Sequence, residues 1–129
     1  GKNISPGPLE DRIRSHSIVS QAVVVGDGRP FVGVLLTLDD AEFDKWKSAH
    51  GKSSDATPAN LREDEQLRAE LQQAVDDGNS QVSHTESIKK YHVLPDQFTE
   101  ETGELTASLK VKRNVVHQKY ASQIEALYA

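Results

Sequence analysis

The sequence predicts an α+β domain, a small three-stranded, mostly antiparallel sheet packed with four to five helices. Three observations carry that expectation. Two runs rich in β-branched and aliphatic residues, Val19 to Val25 and Phe31 to Leu38, flank the turn-forming stretch Gly26-Asp27-Gly28-Arg29-Pro30. Leu67, Leu71 and Val75 recur at i, i+4 spacing and mark an amphipathic helix. Val116, Tyr120, Ile124 and Leu127 share a second helical face near the C-terminus.

Each element has its own local signal. Ser5 suits an N-cap, Pro6 suits the first helical position with its fixed φ, and Ile4 can staple onto Leu9. Leu9 and Ile13 then share a face. Val23-Val24-Val25 and Val32-Gly33-Val34-Leu35-Leu36 are too continuous for strands wet on one side, so helices should cover both faces. Asp39-Asp40 opens a second helix bearing Phe43 and Trp46 or Lys47, and Gly51 stops it. Lys52 to Ala59 is a loop rich in Ser, Pro and Asp. Asn60 with Glu63 forms a capping box for a helix over Asn60 to Val75, closed by Gly78. Asp76 and Asp77 lie at the negative end of its dipole, so that end should fray. Ser87 to Leu94 is a third strand ended by Pro95, and Arg113 to Tyr128 a last helix.

Composition bounds the function. The chain has 129 residues, 36% of them apolar, with three Phe, three Tyr and one Trp, which is enough for one modest domain with a lean core. Without cysteine it can form neither disulfides nor thiolate metal sites. A net charge of −5 argues against a nucleic-acid partner. No apolar run approaches membrane-spanning length and no basic region precedes an apolar one at the N-terminus. A cytoplasmic setting with at most peripheral membrane contact fits. His16, His50, His84, His92 and His117 are scattered, with no i, i+4 pair, so no metal site is expected.

The chemistry-bearing stretch is Thr102-Gly103-Glu104-Leu105-Thr106-Ala107-Ser108-Leu109-Lys110-Val111-Lys112-Arg113. A turn signal leads into a short polar loop that presents Lys110 just before a helix. A lysine there opposes the helix dipole, so the position needs another reason, such as gripping anionic oxygens while charge builds on a phosphate. Lys112, Arg113 and Lys119 make a basic cluster with Lys110, and no acid lies between Leu105 and Ile124. Glu100, Glu101 and Glu104 read as a solvated loop tip.

This stretch resembles the C-terminal lysine loop of the adenylate-forming enzymes, most of all the long-chain fatty acyl-CoA synthetase branch. Gly1-Lys2-Asn3-Ile4-Ser5-Pro6, followed by Leu9-Glu10-Asp11, resembles the segment just after the hinge in the same enzymes. The two motifs lie about a hundred residues apart in the family's order and nearly span the chain. The resemblance implies that residues 1–129 are the C-terminal lid domain of a long-chain fatty acid–CoA ligase. The absence of methionine and a start inside the post-hinge motif add the expectation of a piece cut from a longer protein. By resemblance, Lys110 is the adenylation lysine. Gly1, Lys2 and Asn3 enter the thioester site, and Lys112 and Arg113 contact phosphates of ATP or CoA. ATP, Mg²⁺ and the fatty acid bind mainly to a large N-terminal adenylating domain, the lid's principal partner, and CoA accepts the acyl group. Ala107 and Ser108 replace the Pro and Thr usual in the family, which should loosen the loop. Two alternatives share these features in part: a fatty acyl-AMP ligase or other adenylating enzyme that serves a carrier protein, and a stand-alone α+β interaction module in which Lys110 is ordinary.

Overall fold

The computed structural model describes residues 6–26, 28–80, 82 and 87–129. Helix α1 runs Pro6–Arg14 and starts at the expected proline; the expected cap Ser5 and staple Ile4 lie outside the described residues. Strands β1 (Val19–Val25) and β2 (Val32–Leu38) pair antiparallel, with Val24 opposite Val34 and Ala22 opposite Leu36. Helix α2 (Asp40–Ala49) is capped by Asp39, whose carboxylate accepts the Glu42 N–H at 2.9 Å. Helix α3 (Glu65–Asn79) follows, then strand β3 (Ile88–Val93). The sheet order is β1-β2-β3, and β3 runs parallel to β2, with Leu35 beside His92. The sheet is thus mixed, one antiparallel and one parallel ladder, because α2 and α3 form the crossover that a parallel return requires.

Every residue of β2 is buried, and successive side chains alternate between two cores. Val24, Val34 and Leu36 face Leu9, Ile13, Phe43, Trp46, Leu67, Leu71 and Val75 of α1 to α3. Val23, Val25 and Leu35 face Phe98, Leu105, Val116, Tyr120, Ile124 and Leu127 on the other side. The continuous apolar runs therefore reflect a sheet covered on both faces.

Three sequence expectations are corrected. The cap of α3 is Asp64, which accepts the N–H groups of Gln66 and Leu67 at 2.9 and 3.0 Å and pairs with Lys52 at 2.6 Å. Asn60 is instead engaged in a reciprocal turn with Thr57. Gly78 lies inside α3, and its end is held rather than frayed: Asp77 pairs with Arg12 at 3.2 Å and with His16 at 3.1 Å. Asn79 hydrogen-bonds both backbone groups of Ile88, so the helix end is stitched to β3. The last helix is two helices, α4 (Arg113–Lys119) and α5 (Ala121–Leu127), broken at Tyr120 with φ −109° and ψ 27°. Tyr120 still keeps its buried place beside Phe98, their ring centroids 5.9 Å apart.

Gly78 is where α1 and α3 touch. A Cβ there would stand 2.9 Å from Ile13 Cγ1, deep in the buried face of α1. Helix propensity alone favours Gly→Ala by about 1 kcal/mol. Overpacking a fully buried β-branched side chain costs about 1–3 kcal/mol. Gly78→Ala should therefore lower the urea midpoint with an unchanged m-value; a rise would mean that α1 shifts freely over α3.

Candidate functional site

After β3 the chain crosses the second core, burying Leu94 and Phe98, and reaches Gly103 at φ +94°. Glu104 to Lys112 then form a small hairpin. Leu105 and Val111 bridge antiparallel, and the Lys112 N–H donates to the Glu104 carbonyl at 2.7 Å. Leu105 is buried and Val111 packs against the same core, so the hairpin base is seated on the sheet domain. Toward the tip the Thr106 N–H donates to the Lys110 carbonyl and the Leu109 N–H to the Thr106 carbonyl, both at 2.8 Å. The Lys110 N–H donates to Thr106 Oγ1 at 3.1 Å. Thr106 thus holds Lys110 from both its backbone and its hydroxyl. These bonds order the loop despite the missing proline, the feature expected to loosen it.

Leu109 has φ +65°, and its side chain is 66% exposed. Short hairpin loops commonly end on a left-handed residue, usually glycine. A leucine there costs about 1–2 kcal/mol in backbone sterics. That conformation turns the chain so that Lys110, the next residue, stands exposed.

The four cations of the cluster divide into two kinds. Among the described residues, the ammonium groups of Lys110 and Lys112 have no hydrogen-bond or ion-pair partner. Arg113, the first residue of α4, makes a two-pronged ion pair with Glu10, one prong at 2.8 Å. Lys119 pairs with Glu104. The phosphate contact expected of Arg113 therefore competes with a carboxylate already in place.

Glu104 is also a correction. Far from solvating a loop tip, it is fully buried, accepting from Lys119 Nζ, Thr102 Oγ1 and, at 3.2 Å, the Thr99 N–H. Burial pushes its carboxyl up, but the bonds from Lys119, Thr102 and Thr99 outweigh this and hold it below the usual range. Glu10 and Glu104 are thus the two residues that shape the site and that local sequence did not mark as such. Glu10 stood in the recognised post-hinge stretch, but its partner lies 103 residues away. Gly1, Lys2 and Asn3 lie outside the described residues. Among the described residues no group of three His, Cys, Asp or Glu is placed to hold a metal ion, and no helix is long and apolar enough to cross a membrane.

Because its folded-state carboxyl is depressed, Glu104 adds stability that is present above the ordinary carboxylate range and lost as pH falls through its lowered value. Glu104→Gln should destabilise the domain by about 1–3 kcal/mol at pH 7. The gap to wild type should close on acidification below pH 4.5. A gap constant with pH in chemical denaturation would mean that the Glu104 charge contributes nothing.

The chain matches, over residues 1–129, a family model described as the AMP-binding enzyme C-terminal domain. It is 52% identical over 128 residues to the long-chain-fatty-acid–CoA ligase FadD15 of Mycobacterium tuberculosis, covering 99% of this chain and 21% of that protein. It is 34% identical over 146 residues to the long-chain-fatty-acid–CoA ligase ACSBG2 of Gallus gallus, covering 100% of this chain and 19% of that protein. The chain thus spans about a fifth of the length of these curated relatives. Among solved structures, the adenylation domain of a carboxylate reductase from Mycobacterium chelonae superposes with a TM-score of 0.70 at 21% identity, over 99% of this chain and 18% of that one. The A-PCP didomain of a carboxylic acid reductase from Segniliparus rugosus, in complex with AMP, gives 0.69 at 20% identity, over 98% of this chain and 17% of that one. At such identity these structures show the fold alone.

Proposed function

The chain belongs to the AMP-binding enzyme C-terminal domain family, and we propose that it serves as the lid of an ATP-dependent long-chain fatty acid–CoA ligase with Lys110 as its adenylation lysine. The observation that carries this is the Lys110 ammonium, unpartnered among the described residues, at the exposed end of a hairpin whose base is bonded to a buried core. The curated relatives named as CoA ligases favour CoA, rather than a carrier protein, as the acyl acceptor.

The reaction has two steps. A fatty carboxylate oxygen attacks the α-phosphate of ATP, forming the acyl-adenylate and releasing pyrophosphate. The CoA thiol then attacks the acyl carbon, loses its proton, and AMP leaves. In the first step negative charge gathers on the phosphate and carboxylate oxygens. A cation placed there in advance lowers the barrier with no reorganisation at the moment of reaction. Lys110 meets that need because no carboxylate among the described residues holds its ammonium. Its backbone is fixed by Thr106, so only the side chain has to be ordered. Lys112, also unpartnered among the described residues, would contact a phosphate of ATP or CoA. Gly1, Lys2 and Asn3 would approach the pantetheine arm once the lid has turned, a domain rotation with two working endpoints. The large adenylating domain, the lid's partner, would hold ATP, Mg²⁺ and the fatty acid. The enzyme would work in the cytoplasm, with at most peripheral membrane contact.

In the intact ligase, Lys110→Ala should slow adenylate formation by roughly 10²–10³, the scale of losing one preorganised donor. Preformed acyl-adenylate plus CoA should still give thioester at near wild-type rate. Equal slowing of both half-reactions would remove the support for a lysine that acts in one endpoint only.

Residues 1–129 by themselves should yield no acyl-CoA from palmitate, ATP, Mg²⁺ and CoA. Robust thioester formation, abolished by Lys110→Ala, would overturn the lid reading.

A further inference from the structure

Glu10 is a buried acid in the middle of α1, its side chain 9% exposed. Its Oε2 accepts the Val24 N–H at 2.7 Å and Arg113 Nη1 at 2.8 Å, while Oε1 accepts Arg113 Nη2. Val24 belongs to β1, an edge strand of the sheet, so this carboxylate satisfies a backbone donor on a strand that has only one neighbour. Arg113 follows Lys112, whose N–H closes the base of the Lys110 hairpin on the Glu104 carbonyl. One carboxylate thus joins three parts: the helix that begins five residues after Gly1, the edge of the sheet, and the base of the lysine hairpin.

We propose that Glu10 and Arg113 form a positioning clasp that sets the place of Lys110 during adenylation, with Arg113 acting through Glu10 rather than on a phosphate. The proposal rests on the assignment of Lys110 as the adenylation lysine. A phosphate that took Arg113 would have to displace both prongs of the pair. Glu10 would be left charged, buried and facing an incoming anion, at severe cost in Coulomb energy and desolvation. Lys110 and Lys112 carry no such penalty, being unpartnered among the described residues. Nor is a buried ion pair the obvious device for stability, since apolar residues of equal volume often serve as well. What the forked guanidinium adds is direction, because two parallel bonds fix both the distance and the orientation of α4 against α1. Two residues separate Arg113 from Lys110, and the hairpin is hydrogen-bonded at both Lys112 and Lys110, so a shift at Arg113 carries to the ammonium.

The test uses the full-length ligase and compares Arg113→Lys, Glu10→Gln, the double variant and Lys110→Ala. Each half-reaction is measured separately, together with the KM for CoA and the thermal midpoint. A displacement of about 1 Å at a reacting group can cost up to roughly 10² in rate. Arg113→Lys keeps the charge and loses the fork. It should slow adenylation about tenfold, with KM for CoA and thioester formation from preformed acyl-adenylate each within about twofold of wild type. Glu10→Gln should do the same, and the double variant should be no slower than either single one. A rise in KM for CoA with adenylation intact would overturn the proposal in favour of a phosphate contact. Equal loss in both half-reactions, additive effects in the double variant, or no kinetic effect would overturn it as well. If Glu10→Gln does not accumulate as folded enzyme, Arg113→Lys decides alone, since that side chain is 42% exposed and the change is mild. Lys110→Ala separates the two readings. Adenylation that survives this variant would sink the lysine assignment itself, whereas adenylation lost in Lys110→Ala but unaffected in Arg113→Lys would sink only the clasp.

Discussion

A sheet of three strands covered on both faces must find apolar partners for both sides of its middle strand, and much of this molecule follows from that demand. Val34 and Leu36 look one way and Leu35 the other. The first side is filled by α1, α2 and α3; of these, α2 and α3 cross between β2 and β3, so the return strand runs parallel. The second side is filled from the C-terminal third, by Phe98, Leu105, Val116, Tyr120, Ile124 and Leu127. Leu105 belongs to the lysine hairpin. The lysine hairpin is thus anchored by the same apolar demand that closes the second core, and the Gly33 backbone marks how tight that closure is. A Cβ at Gly33 would meet Leu127 at 3.0 Å.

The layered arrangement puts α1 and the base of the lysine hairpin on opposite sides of the sheet, so the link between them has to pass an edge. Glu10 makes the link at the edge strand β1, where Val24 offers an N–H outside the β1–β2 ladder. Apolar contacts could not serve there, because the unpaired backbone donor demands an acceptor. A carboxylate answers the donor with one oxygen and still has capacity for a guanidinium. The Arg113 guanidinium is held above its ordinary value by the hydrogen bond to Glu10.

Strands, turns and the first two helices were legible because their signals are local. Val19 to Val25 reads as a strand from its own residues, and Asp39 reads as a cap from the residue after it. The start of α3 was misread by four residues for a reason equally local. Asn60 with Glu63 and Asp64 with the turn after it both offer a polar cap before Leu67. Lys52 and the loop before it decided between them, and no helix pattern records a loop's choice of partner. The end of α3 was misread because Gly78 is a helix breaker by propensity, whereas here it is a contact surface for Ile13. The site was legible as a lysine in a familiar setting. The status of its neighbours was not. A window from Leu105 to Ile124 without acids suggested four similar cations, yet Glu10 and Glu104 reach in from outside it and take two of them.

That sorting of charges bears on how a mobile lid can work. A lysine that must grip a phosphate in one arrangement and release it in the next cannot also be committed to a neighbour. Any internal carboxylate would compete in the first arrangement and capture the lysine in the second. The chain carries five more acids than Lys and Arg together, so leaving two lysines unpaired among the described residues is not the default outcome on an acidic protein. Burial supplies the separation. Glu104 lies beneath the hairpin, and its lone pairs are filled by Thr99, Thr102 and Lys119. Glu10 is filled by Val24 and Arg113. Both acids nearest the hairpin base are therefore satisfied before Lys110 could reach them. The strained Leu109 immediately precedes Lys110, which is exposed. The Lys110 ammonium, unpartnered among the described residues, and the occupied carboxylates below it are two sides of one arrangement, in which Glu10 and Glu104 hold the loop through Arg113 and Lys119.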